Sequence, residues 1–167
     1  DSGYRQYRLH VQDLGTGDSR AVTDERVTSL AWTADSRTLF YTQEDAVSKR
    51  SFRLIVRELS QANPVTQDEE RDERFQVSVH LTRSGEWLVY TVSSHTTSEV
   101  RVLRSDQWTG QWLTIAPRVQ DREYYVDHRR GEFWIRVNDK GRNFRLVTAP
   151  VATPDPAHWT EVLPQRD

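Results

Sequence analysis

Hydrophobic and polar residues alternate in short runs along most of the chain. Because successive side chains of a strand point to opposite faces of its sheet, this alternation predicts half-buried β-strands. The clearest pair covers residues 29–32 and 38–42, which are joined by a polar turn that contains Asp35 and Ser36. Asp and Ser side chains hydrogen-bond to their own backbone in such turns. No stretch has the apolar spacing of an amphipathic helix, so the pattern predicts an all-β chain.

The same strand–turn–strand unit returns at residues 79–90 and 126–135. When Leu39, Leu88 and Phe133 are aligned, the repeats are offset by 49 residues, from 39 to 88, and by 45 residues, from 88 to 133. Periods of this length that are filled with short strands are typical of a β-propeller, in which each repeat is one four-stranded blade.

The repeats predict one partial propeller domain over residues 1–167, a β-propeller fragment of about three and a half four-stranded blades. Residues 1–24 would hold the end of one blade, and complete blades would cover 25–66, 75–116 and 123–163. The predicted strands are 7–14 and 20–23; 29–32, 38–42, 52–58 and 64–66; 75–81, 87–93, 99–105 and 112–116; and 123–128, 132–137, 144–149 and 159–163. Since closed propellers have four to eight blades, we expect further blades in a longer parent protein.

A run of charged residues at 67–74 has no apolar periodicity. Such runs are usually solvated, so we interpret this segment as a connection between the second and third blades. The alternative is a docking surface for a basic partner or substrate.

The charge of the chain is nearly balanced, with 23 basic and 25 acidic residues and a net charge of −2. Binding to nucleic acid or to an anionic membrane favours a strong positive field, and no apolar run approaches the roughly 20 residues that cross a bilayer. We therefore expect no nucleic-acid and no membrane partner. The absence of cysteine excludes disulfides and thiolate chemistry. The expected location is cytoplasmic, with the periplasm as the alternative for the parent.

No catalytic or cofactor motif is present in the sequence. The Gly-x-Ser-x-Gly turn of an α/β-hydrolase nucleophile does not occur, and Gly15-x-Gly17 lacks the third glycine of a dinucleotide fingerprint. Asp127 and His128 are neighbours on a predicted strand, so their side chains should point to opposite faces and not form a dyad. The histidines lack zinc-type spacing: His10, His80, His95, His128 and His158. We therefore predict no catalytic residue, no metal and no cofactor in this chain, and no substrate-binding residue is assigned.

Large aromatic residues recur at matching blade positions: Trp32, Phe40, Tyr41, Trp87, Tyr90, Phe133 and Trp134. At this spacing they are expected to pack between blades rather than to form a stacking platform. In particular, Trp87 and Trp134 should lie on second strands and be mainly buried between sheets.

Several segments resemble the propeller of the oligopeptidase B (protease II) group of serine peptidases, within the prolyl oligopeptidase family. The most specific is Ile135-Arg136-Val137-Asn138-x-x-Gly141-x-Asn143-Phe144, followed by 159–164. The other segments are 7–17, 29–41 (with Trp32 and Asp35), 72–75, 97–100, 115–118 and 123–124. The resemblance spans essentially the whole chain in order.

The resemblance implies a middle section of a seven-bladed propeller that caps an α/β-hydrolase domain of the parent. That domain would carry the catalytic Ser, Asp and His and cleave short peptides after Arg or Lys, while the propeller would exclude folded proteins from the active site. The first strand of each blade, at 29–32, 76–80 and 124–128, would line the central channel. The isolated chain would self-associate through open blade faces at 7–11 and around Trp134 and Phe144.

Two alternatives from other classes stay open at this point. One is a section of a protein-binding scaffold propeller that has no hydrolase domain. The other, which the missing ligand constellation disfavours, is a propeller enzyme with a site in its own channel.

Overall fold

The computed structural model describes residues 7–166, which form antiparallel sheets and one turn of 3-10 helix at Pro156–His158. Two short strands pair first: β1 (His10–Gln12) and β2 (Ser19–Ala21). Three four-stranded sheets follow: β3 (Val27–Trp32), β4 (Thr38–Glu44), β5 (Ser51–Glu58) and β6 (Val65–Glu69); β7 (Gln76–Leu81), β8 (Trp87–Ser93), β9 (Ser98–Arg104) and β10 (Leu113–Ala116); β11 (Tyr124–Arg129), β12 (Glu132–Val137), β13 (Arg145–Pro150) and β14 (Thr160–Leu163).

Within each sheet the strands pair in chain order, as the blades of a propeller do. We call β1–β2 blade 1, β3–β6 blade 2, β7–β10 blade 3 and β11–β14 blade 4. The predicted all-β propeller fragment is therefore confirmed.

Tight turns set the beginnings of β8 and β12, whose limits are those predicted from the sequence. Gly85 and Gly131 precede these strands with φ of 77° and 81°, a left-handed conformation that glycine adopts without steric cost. β1 is shorter than the strand predicted at 7–14. Its end is set by Asp13, whose carboxylate accepts hydrogen bonds from the backbone of Gly15 (2.7 Å) and Thr16 (3.1 Å) and so starts the turn.

The hydrophobic core lies between the sheets rather than within any one of them. The second strand of blade 2 shows this most clearly, because Leu39 and Tyr41 pack toward blade 1 while Phe40 packs toward blade 3. The blade 1–2 cluster also contains Leu9 and Ile55. The largest cluster joins blades 3 and 4: Trp87, Val89, Val100, Val102, Ile115, Ala116, Tyr124, Val126, Phe133, Ile135, Val137, Val147 and Ala149.

Buried polar contacts fix one blade against the next. The backbone N–H of Val79 in β7 donates to Ser29 Oγ in β3 (2.9 Å). Between blades 3 and 4, the fully buried Tyr124 hydroxyl accepts from Val100 N (2.8 Å) and donates to the carbonyl of Ala116 (2.6 Å). Burial raises the pKa of Tyr124 to about 12, so the hydroxyl stays neutral. These bonds fix the distance and register between blades, which apolar contacts leave adjustable.

The interpretation of residues 67–74 as a solvated connection is wrong for its first part. β6 continues to Glu69, beyond the strand predicted at 64–66. Asp68 Oδ2 accepts from the hydroxyl of Tyr90 (3.0 Å) and from Arg101 (3.0 Å), both in blade 3. The sequence pattern does not show this strand, because an exposed edge strand needs no apolar side chains. Asp68 finds its partners in the next blade, and Glu69 pairs with Arg53 of β5 (2.7 Å).

Glu70 continues this attachment beyond β6. Its carboxylate pairs with Arg118 (2.7 Å), whose guanidinium lies 4.0 Å from the centre of the Phe75 ring. Arg50 donates to the backbone carbonyls of Glu70 and Phe75. Residues 67–74, which we call the acidic segment, are thus held by arginines of the same chain. The carboxylates of Asp68 and Glu70 are already paired, so they are not free to bind the basic partner that the alternative interpretation requires.

Candidate functional site

The first strand of each complete blade lies at an edge of its sheet, and β3 lies against β7 of the next blade. This is the arrangement that a ring needs if its first strands are to surround an axis. Along β7, Val77 and Val79 are buried, while the other four residues of the strand are exposed. The exposed side chains of the three first strands are mostly uncharged: Thr28, Leu30, Gln76, Ser78, His80, Leu81, Tyr125 and Arg129. That these strands line a channel stays a prediction.

Asp127 and His128 point to opposite sides of β11. His128 is buried against blade 3, and its ring contacts those of Trp87 and Phe133, with centroids 6.0 and 5.7 Å away. Asp127 is half-buried, and its Oδ1 accepts from the backbone N–H groups of Arg83 (3.0 Å) and of His128 itself (2.8 Å). The two side chains therefore form no dyad.

His128 does contact a serine, Ser84, in the β7–β8 turn, but the geometry is not that of a hydrolase. Ser84 Oγ lies 2.9 Å from His128 Nδ1, and the nearest carboxylate, Glu86, approaches the same nitrogen at 3.6 Å. In a catalytic triad the serine and the carboxylate lie on different ring nitrogens. Ser84 Oγ also lies 3.0 Å from the hydroxyl of Thr82. We interpret the group as a structural polar contact that fixes the turn of blade 3 on blade 4.

A cavity of about 460 Å³ opens beside this contact, between the β7–β8 turn and the β11–β12 turn. Arg83, Arg129 and Arg130 border it, together with Asp127 and Trp134. This group is not predictable from the sequence, because Arg83 is more than 40 residues from the others in the chain. The one local signal was Arg130 beside Gly131, at a turn position where Asn, Asp or Gly is usual.

The face of blade 4 that points away from blade 3 carries a stack of two aromatic rings and an arginine. The Arg136 guanidinium lies 4.4 Å from the ring centre of Tyr125 and 4.8 Å from that of Phe144. In register beside Arg136 follow Leu146 in β13 and then Leu163 in β14. We call this surface the open face of blade 4; it is more polar than the apolar face predicted around Trp134 and Phe144.

Most of the aromatic residues pack between blades as predicted, but not all. Five of the seven are buried: Phe40, Tyr41, Trp87, Tyr90 and Phe133. Trp32 is partly buried against the blade 1–2 cluster. The prediction is wrong for Trp134, which is partly exposed. Phe133 and Ile135 point to blade 3, so Trp134 between them points to the opposite side of β12.

Over residues 7–166, no three His, Asp or Glu side chains come together in a group that could hold a metal ion. In the same part of the chain, no helix has the length and apolar character to cross a bilayer.

Four-stranded antiparallel sheets that pair their strands in chain order and pack on one another define a β-propeller domain. The chain matches, over residues 1–167, the family described as "Prolyl oligopeptidase, N-terminal beta-propeller domain". It belongs to that family, which confirms the resemblance found in the sequence.

Two curated relatives align with nearly the whole chain. A peptidase of Sinorhizobium fredii, y4qF, is 33% identical over 98% of this chain and 23% of its own length. Dipeptidyl aminopeptidase BI of Pseudoxanthomonas mexicana is 32% identical over 99% of this chain and 23% of its own length. The chain thus spans about a quarter of the length of these relatives.

Among solved structures, oligopeptidase B from Leishmania major superimposes with a TM-score of 0.81 at 20% identity. The match covers 97% of this chain and 23% of that one. At this identity the likeness shows the propeller fold alone.

Proposed function

We propose that this chain is the non-catalytic propeller portion of an oligopeptidase B-like serine peptidase that cleaves short peptides after Arg or Lys. The observation that carries the proposal is the family match over all 167 residues, in a chain whose sequence holds no Gly-x-Ser-x-Gly nucleophile turn. In prolyl oligopeptidase-family peptidases the propeller is attached to a hydrolase domain, which is the partner proposed for this chain.

The chemistry would belong to that hydrolase domain. A serine attacks the peptide carbonyl, a histidine takes its proton and later protonates the leaving amine, and an aspartate orients the histidine. Backbone N–H groups stabilise the oxyanion that forms. The propeller's proposed part is steric: it covers the active site, so that a short peptide enters and a folded protein does not.

A second candidate, a dipeptidyl aminopeptidase, is favoured by the relative of that name at 32% identity. The two candidates differ in the bond that is cut. The first cleaves after Arg or Lys and accepts a blocked amino terminus, whereas the second needs a free amino terminus two residues before the bond.

The experiment is an assay of the complete protein, expressed from the full gene. A fluorogenic substrate with a blocked amino terminus and Arg before the scissile bond is compared with an unblocked dipeptide substrate. Replacement of the serine in the downstream Gly-x-Ser-x-Gly turn by alanine is the control. We expect hydrolysis of the blocked Arg substrate, which the control abolishes.

The possible contrary results are distinct. Hydrolysis of the unblocked dipeptide alone would replace the first candidate by the second. A full gene without any Gly-x-Ser-x-Gly turn would contradict both and would favour a scaffold propeller that binds protein partners.

A further inference from the structure

The side chains that line the cavity between the β7–β8 and β11–β12 turns carry a net positive charge. Three arginines border it, at positions 83, 129 and 130, against the single carboxylate of Asp127. That carboxylate already accepts two backbone N–H groups and lies 3.5 Å from Arg83 Nε. Arg129 and Arg130 form no ion pair with any residue between 7 and 166. The cavity therefore favours an anion.

A tryptophan that borders the same cavity carries a hydrogen-bond donor that lacks an acceptor. Trp134 borders it, and the indole Nε1–H is buried without a partner among the described residues. Buried hydrogen-bond donors nearly always have an acceptor, so a donor without one beside a cavity would be explained by a ligand that supplies the acceptor. An anionic oxygen is a suitable acceptor for an N–H group between arginines.

The β11–β12 turn fixes the backbone positions from which Arg129 and Arg130 extend. Arg129 pairs with Glu132, so Arg130 and Gly131 form a two-residue turn, with φ of 52° and 81°. Both residues are left-handed, as a type I′ turn requires. The side chains themselves are long and exposed, and such side chains move on the nanosecond timescale, which lets them uncover the indole N–H.

We propose that this cavity binds the C-terminal carboxylate of a peptide. Arginine is the side chain best suited to a carboxylate because its planar guanidinium donates two parallel hydrogen bonds. β11 is an edge strand that ends at Arg129, so the last residues of a peptide can approach along its end and place the carboxylate at the turn. They would not add a full strand to the sheet, because the N–H groups of Tyr124 and His128 already bond to Ser98 Oγ and Asp127 Oδ1. The choice of a peptide, rather than another anion, rests on the proposed function.

The experiment follows the indole N–H signals of the 167-residue chain by two-dimensional ¹⁵N NMR. The six tryptophans give one indole signal each, and Trp134→Phe identifies that of Trp134. The chain is titrated with an acetylated tripeptide that has a free C-terminal carboxylate, with the same tripeptide as its C-terminal amide, and with inorganic phosphate. We expect the Trp134 signal to shift and saturate with the free acid alone.

Two matched variants test the role of the arginines. Arg130→Asn removes the charge but keeps a residue that tolerates positive φ, so the turn is retained. We expect it to weaken binding by about tenfold, since a hydrogen bond between charged groups is worth at least that factor. Arg142→Asn removes an exposed arginine at the other end of β12 and should leave the affinity unchanged.

An equal shift with the amide, or saturation with phosphate but not with the free acid, would overturn the proposal. So would an equal loss of affinity in the Arg130 and Arg142 variants, or an unmoved Trp134 signal at high peptide concentration. None of these results depends on a hydrolase domain. Failure here leaves the peptidase proposal standing, and an inactive complete protein would leave the NMR result standing.

Discussion

At the scale of single residues, the turn between β3 and β4 shows that the local hydrogen bonds of one side chain can be predicted from the sequence alone. Asp35 was expected to bond to its own backbone, and its Oδ1 accepts from the N–H groups of Arg37 (2.8 Å) and Thr38 (3.1 Å). The distant contact was not predictable, because Trp108 Nε1, which donates to Asp35 Oδ2 (3.1 Å), comes from another blade. Hydrogen bonds within a turn can be predicted from neighbouring residues, whereas contacts between blades require knowledge of the fold.

Asp35 should make the stability of the fold depend on pH. Slight burial raises its pKa, but hydrogen bonds from Thr33, Arg37 and Thr38 outweigh this and lower the pKa to about 2. A carboxyl whose folded pKa is below its unfolded value stabilises the fold above the unfolded value, and this stability is lost as pH falls through the folded one. We expect Asp35→Asn to lose less stability than the unaltered chain between about pH 4 and pH 2.

Urea unfolding at several pH values across that window measures the effect. Asp24→Asn is the matched control, because its exposed carboxylate accepts no hydrogen bond in the described residues. Parallel pH dependence in the Asp35 variant and the unaltered chain would show that the carboxylate does not contribute.

The hydroxyl of Tyr124 gives a second prediction at this scale. Tyr124→Phe removes the acceptor of Val100 N–H and the donor to the Ala116 carbonyl in a buried site. Leaving buried polar groups unsatisfied costs about 1–3 kcal/mol. Tyr125→Phe is the control, since Tyr125 is 50% exposed and its hydroxyl makes only a long contact of 3.4 Å with Glu123.

Denaturant unfolding of both tyrosine variants gives the comparison. We expect a clear loss of unfolding free energy for Tyr124→Phe and a change within about 0.5 kcal/mol for Tyr125→Phe. Equal effects would mean that the buried hydroxyl does not fix blade 3 on blade 4.

At the scale of strands and sheets, the limits of an element are predictable from the sequence where residues close in the chain stabilise it. β8 and β12 are central strands with apolar faces and a glycine turn before them, so their limits could be read from local pattern. β6 is an exposed edge strand in which Asp68 bonds to Tyr90 and Arg101 of blade 3 and Glu69 bonds to Arg53 of β5, so no local pattern marks it. The arginine cavity was hidden for the same reason: its residues come from turns of two blades.

The attachment of the acidic segment can be tested at Arg118. Its partly buried guanidinium pairs with Glu70 and lies on the Phe75 ring, so Arg118→Ala removes an ion pair and a cation–π contact together. We expect a loss of about 1–2 kcal/mol in unfolding free energy. Arg142→Ala, at an exposed position, should change it by less than about 0.5 kcal/mol.

The stability of both arginine variants is measured by urea unfolding at low and at high salt. Solvent-exposed ion pairs are screened by salt, whereas partly buried ones are screened much less. A loss at Arg118 that disappears in high salt would contradict an attachment that depends on burial and ring stacking.

At the scale of the whole molecule, the two ends of the described chain differ from what was expected. Within the run 7–11, where an open face is predicted, Leu9 is buried against blade 2 and Val11 packs partly on the same cluster, whereas Tyr7 is 61% exposed. We therefore place the predicted self-association at the open face of blade 4, where two large apolar side chains are exposed, Tyr125 and Leu163.

We expect the purified 167-residue chain to dimerise through that face. Tyr125 and Leu163 are 50% and 59% exposed, and they lie in register with Arg136 and Leu146 on one surface. Two copies of one surface can meet about a twofold axis, and each would cover the other's apolar residues. Leu163→Lys places a charge in this contact and should weaken the dimer by at least about tenfold, as a buried unpaired charge does.

Sedimentation equilibrium at several micromolar concentrations decides between the outcomes. Val47→Lys is the control, because Val47 is 89% exposed in the β4–β5 loop of blade 2, away from the open face. It should leave the monomer–dimer equilibrium unchanged, since it adds the same charge where no partner is expected. A folded 19.6 kDa monomer at every concentration would contradict the prediction. It would mean that the guanidinium of Arg136, stacked on Tyr125 and Phe144, makes this face polar enough to stay exposed to solvent without a partner.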